Sequence, residues 1–254
     1  LRYKGMTLSC DSAYFNEQSN WFKAFGKVHV TRPSGVTLDC HRLHYDGMSQ
    51  MVHVREKVVV RQPGKSLRCD SLDYNMISKV ANYFGGRGTL VYNGNTVIAD
   101  QGDYNTESHD ANFFGNVVMF TPKYRITTPE AHGNTETGLV HVVGKSVIRT
   151  AKGEVVHTND GTYNSRTDNM ELNGHSTITS PKQDVEGDNI VYNSSTGEAE
   201  GHGNVKIVDK ANDRTIIGQD VFYNEKTGHS TARGNVKIDD RRQKRVITGD
   251  EVIY

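Results

Sequence analysis

Eleven histidines, three cysteines and a recurring aspartate are the residues of this 254-residue chain whose types could do chemistry. Their spacing argues against it. His41, His44, His53, His109, His132 and His202 hold unrelated positions. No His-Glu-x-x-His run or His/Cys cluster is present, and no nucleophile has a base at a recognisable spacing. No catalytic residue, metal or cofactor is therefore expected. Asp11, Asp70, Asp100, Asp188 and Asp250 recur at a fixed place in a repeating unit. On alternate strands their carboxylates would lie about 10 Å apart, too far to share a cation, so bonding within a bend is the better use. Cys10, Cys40 and Cys69 also repeat, and their column continues as Ala99, Thr128, Thr158, Gly187, Gly218 and Gly249. An odd number in equivalent positions suits small buried residues rather than disulfides. The cluster Arg241, Arg242, Lys244 and Arg245 is either a solvated turn or a site for lipid phosphates or a membrane surface.

The elements that carry these residues follow from a period. An aromatic anchor recurs at Phe15, Tyr45, Tyr74, Tyr104, Tyr163, Tyr192, Tyr223 and Tyr254, with Gly133 in the vacant slot. The interval of about 30 residues means one supersecondary unit repeated and stacked. Seven residues before each anchor stands Leu8, Leu38, Leu67, Val97, Ile126, Val156, Val185, Ile216 or Ile247, an aliphatic column. Two residues before the anchor lies a second column without a polar side chain, from Ala13, Leu43 and Leu72 to Val221 and Val252, at the opposite parity. A parity switch within a strand calls for an inserted residue, expected at the aspartate position.

After each anchor, Asn (Asp46 once) followed three residues later by Ser or Thr reads as a capped hairpin tip. The returning strand has a single apolar face, as in Phe22, Ala24, Gly26 and Val28, or Phe113, Gly115, Val117 and Met119. Its central glycine, replaced once by Glu56, is expected opposite the small column that holds the cysteines, and the two permissive columns mark a line along which every strand bends. Ile148, Ile178, Val205, Ile207, Val236 and Ile238 follow that glycine on the same face. The expectation is an all-β fold of about 17 antiparallel strands, folded lengthwise into a V.

Equal numbers of basic and acidic residues, 30 each, leave no overall field to gather nucleic acid. No run approaches the ~20 apolar residues of a membrane-spanning helix, so membrane contact is expected only through partners. A mean hydropathy of -0.64 suits strands that bury one face. The repeat runs end to end, so residues 1–254 are read as one domain. A parallel β-helix, as in a polysaccharide-active enzyme or adhesin, shares periodicity and Asn columns. The Asn93-Gly94 hairpin and the Asn-x-x-Ser/Thr tips oppose it. A purely structural exported β-protein is the third reading.

GDNIVYNSSTG with GNVKI at Gly187 to Ile207, and GQDVFYNEKTG with GNVKI at Gly218 to Ile238, give the unit its signature. This pattern resembles the OstA-like proteins of lipopolysaccharide transport, the family of the bridge protein LptA and of the N-terminal domain of LptD. The resemblance implies an elongated β-jellyroll with an apolar interior that shields lipopolysaccharide acyl chains. It also implies a periplasmic location, with any export signal absent from this chain, and assembly with itself or other jellyroll transport proteins through edge strands. The aliphatic column, with Phe22, Val28, Phe113, Val117, Met119, Ile148, Ile178, Val205, Ile207, Val236 and Ile238, would line the groove.

Overall fold

The structure is a computed structural model that describes residues 2–3, 5–193, 195–224, 226–227 and 229–253. The anchor Tyr254 lies outside the described residues. The chain divides into two compact units, Leu1–Pro122 and Lys123–Tyr254. The first unit contains β1 (Arg2–Tyr3), β2 (Met6–Ser9), β3 (Ser12–Asn16), β4 (Trp21–Thr31), β5 (Thr37–Asp46) and β6 (Met51–Gln62). It continues with β7 (Lys65–Asn75), β8 (Val80–Phe84), β9 (Gly88–Tyr92), β10 (Asn95–Ala99), β11 (Gln101–Asn105) and β12 (Asp110–Phe120). The second contains β13 (Tyr124–Asn134), β14 (Leu139–Thr150), β15 (Val155–Asn164), β16 (Asn169–Thr179) and β17 (Gln183–Asn193). Its last strands are β18 (Glu198–Asp209), β19 (Arg214–Asn224), β20 (Ser230–Asp240) and β21 (Arg245–Ile253).

Within each unit the paired strands run antiparallel, and no helix occurs among the described residues. The 21 strand segments exceed the expected 17 for two reasons. Three arms are interrupted where they bend, between β2 and β3, β8 and β9, and β10 and β11, and β1 is an additional short strand on β2. The tips form as their composition dictates. Asn164 Oδ1, for example, accepts the backbone N–H of Arg166 at 2.9 Å and of Thr167 at 3.2 Å, and the same pair of bonds recurs at Asn75, Asn105, Asn134, Asn193 and Asn224.

The bend corrects two sequence-based expectations. Register shifts fall at the aspartate level, but the extra residue belongs to the returning strand. Glu186 pairs with Lys206 and Asn189 with His202, so the return spends four steps where its neighbour spends three. Gly203 and Asn204 supply the extra residue, with φ of 73° and 51°. Nor does the glycine face the small column. Cys40 pairs with Val28, Cys69 with Val58 and Gly218 with Val205, whereas the glycine lies under the aspartate. Asp188 Oδ2 accepts Asn204 Nδ2 at 2.7 Å, and Asp100 accepts Asn116 at the same distance. An ideal Cβ on Gly203 would sit 2.8 Å from Asp188 Oδ2. Gly203→Ala should therefore lower stability by about 1–3 kcal/mol through left-handed strain, before any clash is counted; urea denaturation checks this. At the exceptional repeat Glu56 itself takes φ 66°, and its carboxylate pairs with Arg42 across the strands.

Lengthwise folding follows from distances. Tyr124 pairs with Thr150, and Arg149 with Val155, so Tyr124 and Val155 mark the same end of the strands. Tyr163 lies further along β15, about 26 Å away if the strand were flat. The Tyr124 and Tyr163 rings are nevertheless 4.6 Å apart. In the first unit Lys65 is level with Asn95 through Tyr92, yet its Nζ reaches Tyr104 Oη at 3.0 Å. Each unit is a sheet doubled over at the bend, with its strand ends meeting on the other side.

Candidate functional site

The doubled sheet encloses two rows of side chains, one on each arm. On the arm before the bend in the second unit, Ile126, Ile148, Val156, Ile178, Val185, Ile207, Ile216, Ile238 and Ile247 are direct cross-strand partners in nine successive strands. The first unit has the equivalent row Leu8, Val30, Leu38, Val60, Leu67, Leu90, Val97 and Met119. On the tip arm of the second unit the row is Ala131, Val142, Gly161, Leu172, Ile190, Gly201, Val221, Ala232 and Val252. The rows meet across the interior. Val221 and Ala232 of the tip arm share one cluster with Val205, Ile207, Ile216, Val236 and Ile238.

Among the residues expected to line a groove, Leu8, Val97, Ile126, Val156, Ile216, Val28 and Phe113 are buried. So are Val117, Met119, Ile148, Val205, Ile207, Val236 and Ile238. Leu38, Leu67, Val185, Ile247, Phe22 and Ile178 are half-buried. Sequence reasoning recognised the tip-arm column as apolar but did not place it in the lining. It also missed a hydroxyl seam. Thr128, Ser146, Thr158 and Ser176 are buried in successive strands of the second unit. Ser146 Oγ is 2.8 Å from Thr128 Oγ1, and Ser176 Oγ is 2.9 Å from Thr158 Oγ1. Thr158 in turn donates to Asp160 O at 2.7 Å, so these buried polar groups are satisfied. The signal was there to read: serine stands where most other repeats have valine, beside threonine in place of the small residue.

Chemistry-bearing residues lie elsewhere. His29, His53, His141 and His202 are each within 2.9 Å of a carboxylate, Asp39, Asp73, Asp160 and Asp220 respectively. These pairs are at least partly exposed to solvent and sit on strand faces. Cys40 and Cys69 are buried and free, and burial, with Asp39 and Asp70 nearby, pushes both thiols up to about 12.

At the mouth of the doubled sheet one contact occurs once in each unit. The residue nine before one anchor meets the aromatic anchor of the next repeat: Lys65 against Tyr104, and Tyr124 against Tyr163. In the second unit an ion pair joins them, Lys123 Nζ donating to both oxygens of Asp168 at 2.6 and 2.7 Å. Asp168 also accepts Ser195 Oγ at 2.7 Å. Phe15, the anchor of the first repeat, has no such cover among the described residues and is 64% exposed.

The Lys123 ammonium and then the Ser195 hydroxyl hold the Asp168 carboxyl below its ordinary value. A depressed carboxylate contributes stability above the unfolded-state value of about 3.9 and loses it as pH falls through the folded value. Asp168→Asn should therefore flatten the fall of stability between about pH 5 and pH 3 relative to the parent, as read by thermal melts.

A family model described as OstA-like protein matches residues 1–129, just over half of the chain. The chain belongs to the OstA-like family. A second model, described as LptA/(LptD N-terminal domain) LPS transport protein, matches residues 96–198. No curated protein matches the OstA-like chain. Among solved structures it is similar to LptH, the LptA-homologous periplasmic component of the lipopolysaccharide transport device of Pseudomonas aeruginosa. That likeness has 14% identity, covers 61% of this chain and 93% of the other, and has a TM-score of 0.27. Family membership rests on the first match alone.

Proposed function

We propose that this OstA-like chain is a periplasmic carrier in lipopolysaccharide transport that holds acyl chains between the two arms of its doubled sheet. The observation that carries the reading is the unbroken aliphatic row, nine strands long in the second unit, facing a second apolar row across the fold. An acyl chain laid along such a row exchanges water for methylene contacts, each buried methylene contributing about 0.8 kcal/mol. The match of residues 96–198 to a transport-protein model supports the choice of lipid and compartment. Because the same repeat runs through both units, all 254 residues are read as one OstA-like domain.

Edge strands supply the partner surface in this reading. β3 pairs on one side with β4 and exposes Tyr14 and Phe15, and β21 pairs with β20 and exposes Val246 and Ile253. Unpaired backbone groups on such strands suit addition of a jellyroll of the same kind, or of a second copy. Antiparallel pairing throughout each unit removes the parallel β-helix alternative. Mass spectrometry of lipids retained after mild purification tests the function: lipopolysaccharide should co-purify, and a lipid-free chain that takes up none on incubation would contradict it.

A further inference from the structure

The turns on the two sides of the mouth differ in charge, one side carrying a surplus of cations and the other residues of both signs. On one lip of the second unit, every turn or strand start holds a cation: Lys123, Lys152, Lys182, Lys210, then Arg241, Arg242 and Lys244. Backbone bonds knit these turns side by side, from Ala151 N–H to Lys123 O at 3.0 Å, Lys210 N–H to Lys182 O at 2.9 Å and Arg241 N–H to Asp213 O at 3.1 Å. Opposite stand Glu136, Asp168 and Glu198. That facing lip also holds two cations, Arg166 and Lys226, which donate to the backbone oxygens of Glu136 and Ser195 and keep their charge. Acids on the basic lip engage Lys210, Arg214, Arg241 and Arg245 through Asp184, Asp209, Asp213 and Asp240. Among the described residues, Lys152, Lys182, Arg242 and Lys244 make no ion pair, and all four are exposed. Neighbouring turns, two strands apart, are about 10 Å from one another.

Resting on the acyl-carrier reading above, we propose that this basic lip is the head-group site for an anionic, phosphate-bearing amphiphile whose tails enter the interior. Cations without an ion-pair partner at the rim of an apolar interior match the two halves of such a molecule. The ligand's phosphate also supplies the counter-charge that Asp168 gives Lys123 in the closed mouth. Binding and parting of the lips are thus coupled by exchange of one anion for another.

Calorimetry with the whole chain tests this, using 1-acylglycerol 3-phosphate, the monoacylglycerol of the same chain length, and inorganic phosphate. The parent should bind the phosphate-headed lipid about tenfold more tightly than the neutral one at low salt. In the K152Q/K182Q/R242Q/K244Q variant the two should come within about twofold, with neutral-lipid affinity unchanged. All four positions are exposed, so the variant should fold. Equal affinities in the parent, a preference that survives in the variant, or inorganic phosphate binding as tightly as the lipid would each overturn the head-group site while leaving the acyl-carrier reading in place. Failure of both lipids to bind would overturn the carrier reading, and this site with it.

Discussion

Leu172→Asp should unfold the second unit at neutral pH, and Leu172→Ala should cost about 2–5 kcal/mol. Leu172 is 0% exposed, pairs with Gly161 and Ile190, and is the fourth of the nine residues of the tip-arm row. Truncation leaves a cavity lined by side chains held on a hydrogen-bonded sheet, which cannot collapse to fill it. A carboxylate there has no cation within the apolar row and must either be protonated or draw water inward, which consumes much of a domain's usual 5–15 kcal/mol. Far-UV circular dichroism and denaturant titration of both variants read the effect. Full native stability in Leu172→Asp would mean that the interior is already wet.

The second large effect is functional. In the second unit six of the nine residues of the aliphatic row are buried and Ile178, Val185 and Ile247 are half-buried, so full entry of a ligand requires the lips to part, and the groups joining them are the ones to lock. A chain with cysteines at positions 124 and 163, its native cysteines changed to alanine as at Ala99, can be bridged by a short bis-thiosulfonate, each thiolate displacing a sulfinate to form a disulfide that a reductant later cleaves. Bridging should lower the apparent affinity for acyl ligands by at least about tenfold, because it removes the binding-competent open state. Cleaving the bridge should restore it. Unchanged uptake in the locked chain would show that lipid reaches the interior by another route.

Much of the fold could be read from the sequence because the repeat samples each structural position eight or nine times. Leu8 to Ile247 could only be one face of a strand, and the asparagine tips could only be turns. What escaped was relational. The aspartate column announced a bend, but which strand carried the extra residue depended on the paired positive φ values of residues such as Gly203 and Asn204, and Asn204 reads equally well as an ordinary polar strand residue. Closure of the mouth escaped for a stronger reason. The position nine before the anchor is Lys65 in one repeat and Tyr124 in another, chemically unrelated residues that reach a tyrosine of the next repeat. A column without a common type gives no periodic signal, although its geometry is conserved between the two units. The lining was half legible: the arm before the bend stood out as uniformly large and aliphatic, while Ala131, Gly161 and Gly201 made the facing row look like spacing rather than surface.

The most direct measurement places a photoreactive side chain at Val117, Val156 or Ile216, which are buried inside the doubled sheet, and at Lys206 or Lys237, which are exposed on the opposite strand face. After illumination in cells making lipopolysaccharide, the three interior positions should yield lipopolysaccharide adducts and the two lysine positions none; equal labelling of both sets, or labelling of the lysine positions alone, would contradict an acyl-binding interior.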